Sequence, residues 1–198
     1  MLPWLVVALA LILGFLAWRL TTRPILIVTN ALVLPVRLQV NDGAVVELAP
    51  GDSLAEPLGR GSLATVAWSM VQPKTRSGVL VGSPLGASEV IPAGRGKRRY
   101  PLRAMRGDTA YFAPLITNAT GVPLSVRINA GLAGAEDCRC EVPPAARRMA
   151  VGYYRLFRNS TVEVRDSAGR RAMFRDLGPE AEPASGVVGL RFEARDLR

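Results

Sequence analysis

The sequence predicts an all-β protein: two small antiparallel β-sandwich modules behind one N-terminal transmembrane helix. Three observations lead there. The chain opens on an apolar run without charge. The remainder contains a strand–turn–strand segment that occurs twice. Elsewhere apolar and polar residues alternate in short stretches separated by Gly and Pro, the pattern of half-buried strands.

Residues 2–18 carry no charged or strongly polar side chain. As a helix they measure ~26 Å at ~1.5 Å per residue, near the lower limit for a span. Pro3 suits a first helical turn, where its missing N–H is not needed. Trp4 and Trp18 stand near the two ends, where interfacial tryptophans sit, and Arg19 can snorkel. No basic side chain precedes the run and Trp18-Arg19-Leu20 is a poor cleavage site, so residues 1–23 read as an uncleaved anchor. Arg19 and Arg23 flank only its C-terminal side. Positive-inside logic then directs the bulk of the chain to the cytoplasmic face of a bacterial inner membrane. Ala10, Gly14 and Ala17 recur at helical spacing, a small-residue stripe that admits a neighbouring helix.

The repeat has a spacing of 88 residues and no gap. Residues 28–43 (VTNALVLPVRLQVNDG) align with 116–131 (ITNATGVPLSVRINAG), with identical Thr, Asn, Ala, Pro, Asn and Gly. Each copy reads as a strand, a Pro-opened second strand alternating with period two, and an Asn-x-Gly turn in which Gly can take positive φ. A third strand follows in each, at 45–48 and 139–142. Further strands are expected at 63–70, 79–81, 89–91, 153–157, 161–165, 171–174 and 187–192. Short strands at this spacing predict two immunoglobulin-like modules, 24–106 and 107–198. Between them Arg95, Lys97, Arg98, Arg99, Arg103 and Arg106 form a run without an acid, read as a basic linker or long loop ending the first module.

Composition narrows the chemistry. The 198 residues include 25 Lys+Arg, 16 Asp+Glu and no His, for a net charge of +9. Without His there is no Ser-His-Asp triad, no Cys-His dyad and no His-metal centre. The two cysteines, Cys138 and Cys140, lie in a six-residue expansion of the second repeat. They are too few for a Cys₄ zinc site and lack the C-x-x-C spacing of thioredoxin-type motifs. On one strand they point to opposite faces, which favours structural, inert thiols; a disulfide or a metal site remains the alternative. No metal or cofactor is expected. The basic run suits anionic lipid headgroups or an acidic protein surface. It lacks interleaved aromatics, which argues against nucleic acid. Asn118-Ala119-Thr120 spells a glycosylation sequon, but Asn118 matches Asn30 in the repeat, which favours a structural role.

The anchor bracketed by Trp4 and Trp18, followed by a small extrinsic domain, resembles accessory subunits of bacterial photosynthetic reaction-centre and light-harvesting assemblies. It is equally similar to small subunits of respiratory or secretion complexes. The resemblance covers architecture only and includes no diagnostic motif. It implies a non-catalytic, single-pass scaffold subunit whose partners are integral membrane proteins. The competing expectation is a periplasmic adhesion or ligand-binding module on the same anchor.

Overall fold

The structure is a computed structural model that describes residues 7, 9–15, 23–59, 63–75, 78–94, 96–133, 138 and 140–198. Among these residues it is built from strands. In the first half they are β1 (Ile25–Asn30), β2 (Val36–Val40), β3 (Val46–Leu48), β4 (Ser53–Pro57), β5 (Leu63–Met70), β6 (Gly86–Pro92) and β7 (Lys97–Leu102). A short β8 (Met105–Arg106) leads into the second half. That half holds β9 (Thr109–Ala119), β10 (Leu124–Ile128), β11 (Cys140–Val142), β12 (Met149–Ala150), β13 (Tyr154–Arg155), β14 (Thr161–Arg165), β15 (Arg171–Arg175) and β16 (Val187–Glu193).

Each half is a two-sheet sandwich with the same connectivity. In the first, β4-β1-β7 faces β3-β2-β5-β6; in the second, β12 and β13 flank β9 with β16 opposite, facing β11-β10-β14-β15. Inward residues from both sheets, such as Leu26, Leu38, Val66, Ile91 and Leu102, close the first core. Phe112, Val126, Val164, Leu190 and Phe192 are among those closing the second. Alternation decides which residues these are. β2 buries Val36, Leu38 and Val40, and β10 buries Leu124, Val126 and Ile128.

The duplicated segments occupy equivalent positions, and their identical residues do identical work. Asn30 is fully buried at the end of β1. Its amide donates to Leu34 O and Leu48 O at 3.0 Å each and accepts from Leu32 N. Asn118 repeats this, donating to Val122 O at 2.7 Å and Val142 O at 3.2 Å and accepting from Thr120 N. Each amide joins the first strand, the turn after it and the third strand, satisfying carbonyls that burial would otherwise strand. The Asn118 side chain is therefore committed to the fold. Asn41 and Asn129 both take left-handed φ, 51° and 53°. Each closes a two-way bond with the fifth strand position, Asn41 with Thr65 and Asn129 with Thr161.

Three expectations are corrected. An immunoglobulin constant domain joins strands A, B, E and D in one sheet and C, F and G in the other. Here the third strand pairs with the second, and the first lies between the fourth and seventh. Neither sandwich is wholly antiparallel: β1 pairs parallel with β7, and β9 with β16. Six reversals separate each pair, which returns the chain to its starting direction.

The basic run is not a linker. Lys97–Leu102 is β7, completing the first sandwich beside β1. Its charges escaped recognition because Lys97, Arg99 and Pro101 face outward, while Arg98, Tyr100 and Leu102 alternate with them toward the sandwich.

The transmembrane anchor is also withdrawn. Val7 and residues 9–15 are helical, but among the described residues no helix is long and apolar enough to cross a membrane. The single-pass inner-membrane placement and the cytoplasmic orientation rested on that span and fall with it. Trp4, Ala17, Trp18 and Arg19 lie outside the described residues; Arg23 is exposed. Ala10 and Gly14 are on the helix, exposed, and a Cβ on Gly14 would meet nothing within 4 Å.

Candidate functional site

The two sandwiches diverge where they meet. The fifth and sixth strands of the second module are joined by residues 166–170, those of the first by residues 71–85. That longer connection folds back on itself as an arm. Val81 N donates to Pro73 O, Thr75 N to Val79 O, and Lys74 bridges Leu80. The arm carries Val81 across to the core of the second module.

The second module answers with a bulge. Ala150 pairs with Leu115 and Tyr154 with Phe112, so residues 151–153 oppose only two residues of β9. Gly152, at φ 110°, makes the turn possible and lets the backbone of Gly82 approach closely. Ser83 N then donates to Tyr153 O at 2.7 Å. The extra residue re-aims Tyr153, whose ring joins the core of the first module. Its hydroxyl donates to Ser185 O at 2.8 Å and accepts from Val33 N at 3.1 Å, tying a loop of each module. Burial raises this hydroxyl from 10.0 to about 12; the Val33 N–H opposes the shift and Glu182 adds to it. Val81 and Tyr153 are thus exchanged between cores.

Beside this lock lies a cleft of about 620 Å³. Pro73, Lys74, Thr75, Val79 and Val81 of the arm line one wall; Cys140, Glu141, Pro143 and residues 149–151 line the other. The walls are mainly apolar, with one cation and one carboxylate. β12, which contributes Met149 and Ala150, pairs with β9.

Cys138 and Cys140 are joined in a disulfide, with Cα atoms 5.3 Å apart. The expectation of opposite-facing inert thiols fails because Cys138 lies outside β11, so strand alternation does not govern it. Both are buried against the second core, and Cys140 reaches the cleft wall.

The six basic residues singled out in sequence do not form one patch. Arg95 lies outside the described residues. Lys97 and Arg99 face outward on β7. Arg98 donates to Pro92 O at 2.7 Å. Arg103 is exposed after β7. Arg106 lines a different, open groove with Arg37, Gln39 and Val45 on the outer face of the β3-β2-β5-β6 sheet. Between Arg98 and Leu102, Tyr100 donates to Glu89 Oε2 at 2.5 Å, fastening β7 to β6 across the sandwich edge. Burial first, then the Glu89 carboxylate, hold that phenol well above its ordinary range. Among the described residues no three His, Cys, Asp or Glu side chains gather as a metal site.

Sequence reading missed Tyr153, Val81 and the Gly82–Gly152 approach. The one available signal was length: the segment between the fifth and sixth strands is far longer in the first copy. Comparison with known protein families, characterised proteins and solved structures finds no match to this chain.

Proposed function

We propose that this protein is a non-catalytic scaffold subunit of a larger assembly, and that the cleft between its modules receives a partner's extended segment. The observation that supports this most is the lock itself. Two sandwiches that exchange core residues hold the cleft walls in fixed relation, so a bound segment meets a preorganised surface. The apolar walls suit alternate side chains of an extended chain. Lys74 and Glu141 supply polar discrimination at either wall.

A photo-crosslinking side chain at Met149 tests this in the producing cell. A discrete protein adduct from position 149, and none from the exposed Arg191 on β16, is the expected result. A chain that stays monomeric with no adduct from Met149 defeats the proposal. A second reading, a small-ligand-binding module, draws on the cleft's size, which falls within the roughly 300–1,000 Å³ of small-molecule pockets. It predicts that an apolar small molecule raises the melting temperature and that Met149→Arg abolishes the rise.

A further inference from the structure

We infer that the outer face of β14 and β15 is a docking surface for an extended acidic segment of a partner protein, held by Arg165, Arg171 and Arg175. Strand alternation builds the surface. Val162 and Val164 of β14 and Ala172 and Phe174 of β15 pack on the second core. Thr161, Glu163 and Arg165 therefore share the opposite face with Arg171, Met173 and Arg175. Register sets Arg165 directly opposite Arg171, Glu163 opposite Met173 and Thr161 opposite Arg175.

The fold does not ask for these arginines. Asn41 bonds Thr65 and Asn129 bonds Thr161, which aligns the two frames residue by residue. Ser69, Gly86 and Val90 of the first module then stand where the second has Arg165, Arg171 and Arg175. Like charges directly opposite on neighbouring strands destabilise a sheet. The pairing of Arg165 with Arg171 is thus a cost that the first module avoids on the same frame.

The nearby acids do not neutralise the group. Glu163 is 7% exposed and lies 3.3 Å from the Arg165 guanidinium. Asp166 is taken by Arg170 at 2.8 Å. Arg175 Nε contacts Met173 Sδ at 3.3 Å, and neither Arg171 nor Arg175 has an ion pair among the described residues. One carboxylate answers three guanidinium groups.

The chemistry of this corner selects its partner. Arginine forks match carboxylates bidentately. No aromatic side chain shares the outer face of β10, β11, β14 and β15 for a base to stack on, which argues against nucleic acid. A lipid surface would meet the whole sheet, including the exposed Glu141 on β11, which repels anionic headgroups; a single segment meets only the β14-β15 corner. Arg171 and Arg198 exchange backbone bonds, so the segment meets side chains there and not a free strand edge. Arg171 and Arg175 lie four residues apart on one strand, a separation of about 13 Å at the strand rise. An extended segment running along β15 repeats that distance between acids four residues apart. The inference rests on this outer face alone and stands whatever occupies the cleft.

The test titrates a Ser/Thr peptide carrying two glutamates four residues apart into the intact, isotope-labelled full-length chain, followed at the arginine Nε–H resonances. The spaced peptide should bind more tightly than one of the same composition with adjacent glutamates. Arg171→Ala and Arg175→Ala should each weaken binding at least about tenfold. Arg191→Ala, whose guanidinium Glu193 already holds on β16, should leave it unchanged. The melting temperature of Arg171→Ala should hold or rise, because the opposed pair is relieved. No binding by the wild type, equal weakening by Arg191→Ala, or a fall in the melting temperature of Arg171→Ala overturns the inference. Phosphatidylserine vesicles that bind the chain in preference to the spaced peptide overturn it in favour of a lipid surface.

Discussion

The two sandwiches share a frame and differ in their connections. β1, β2 and β5 have the pairings of β9, β10 and β14, down to the buried asparagines at 30 and 118 and the left-handed asparagines at 41 and 129. The first module has a long connection between its fifth and sixth strands, the second a short one. The second has the bulge at 151–153 and the disulfide-bearing extension before β11. The arm, the bulge and Cys140 all border the cleft or the lock. The frame answers to folding and is repeated; the departures from it build the site.

The largest effect should come from breaking the exchange of core residues. Tyr153→Ala removes a fully buried ring and two hydrogen bonds, and should destabilise by about 3–5 kcal/mol, as for other large aromatics. Calorimetry should show one transition becoming two as the modules uncouple; a single transition shifted downward would mean that the lock does not couple them. The same residue gives a pH test. Its pKa is raised in the fold, so the stability it contributes is complete below pH 10 and drains away as pH climbs toward about 12. Tyr153→Phe should flatten that alkaline decline.

Next come the paired asparagines. Asn30→Ala and Asn118→Ala each strand buried carbonyls, at about 1–3 kcal/mol. If the frames are energetically as well as geometrically equivalent, denaturant titrations will give losses that agree. A much smaller loss for Asn118 would show that the second module draws its stability from the extension instead.

How much of this the sequence revealed follows the same division. The frame was legible because period-two alternation and the Asn, Pro and Gly positions are local demands, written twice 88 residues apart. β7 was not, because an edge strand with Lys97 and Arg99 facing out and Pro101 inside it has the composition of a linker. The cleft was not legible either. Tyr153 enters the core of the other module through a one-residue bulge, and no periodicity within one module records a contact made with another. Cys138 and Cys140 were visible as a pair, but strand alternation was applied to both although Cys138 lies outside β11. The apolar N-terminal run shows the opposite failure: composition alone suggested a span that the described helix does not provide.

A more selective break targets the approach of backbone to backbone. Gly82 sits at φ 84°, and a Cβ there would lie 2.8 Å from Tyr153 O. Gly82→Ala should lift the arm at about 1–2 kcal/mol while both sandwiches stay folded. Hydrogen exchange at the Ser83 amide, bonded to Tyr153 O, should rise without a change at Asn41 or Asn129. Unchanged protection at Ser83 would mean that the arm adapts and the cleft wall is not held there.

The smallest effect concerns how the second module closes the strand pair that the first extends into the arm. Asp166 and Arg170 make that turn. Arg170 N donates to Asp166 Oδ1 at 2.9 Å, and Arg170 Nε to Oδ2 at 2.8 Å. Gly169, at φ 83°, completes it. Burial alone would raise the Asp166 carboxyl. The Arg170 guanidinium and the backbone N–H groups outweigh burial and hold it below the ordinary carboxylate range. A depressed carboxylate stabilises the fold above its unfolded pKa, and that contribution is lost as pH falls through the folded value. Asp166→Asn should therefore change little near neutrality beyond a small fixed loss, and should lessen the acid-side decline in melting temperature. The first module has its arm in place of this turn, so loosening the arm with Gly82→Ala should leave the acid limb as it was. Parallel acid limbs for the wild type and Asp166→Asn would show that the ion pair follows the turn rather than holding it, leaving Gly169 and the backbone bonds to close the hairpin alone.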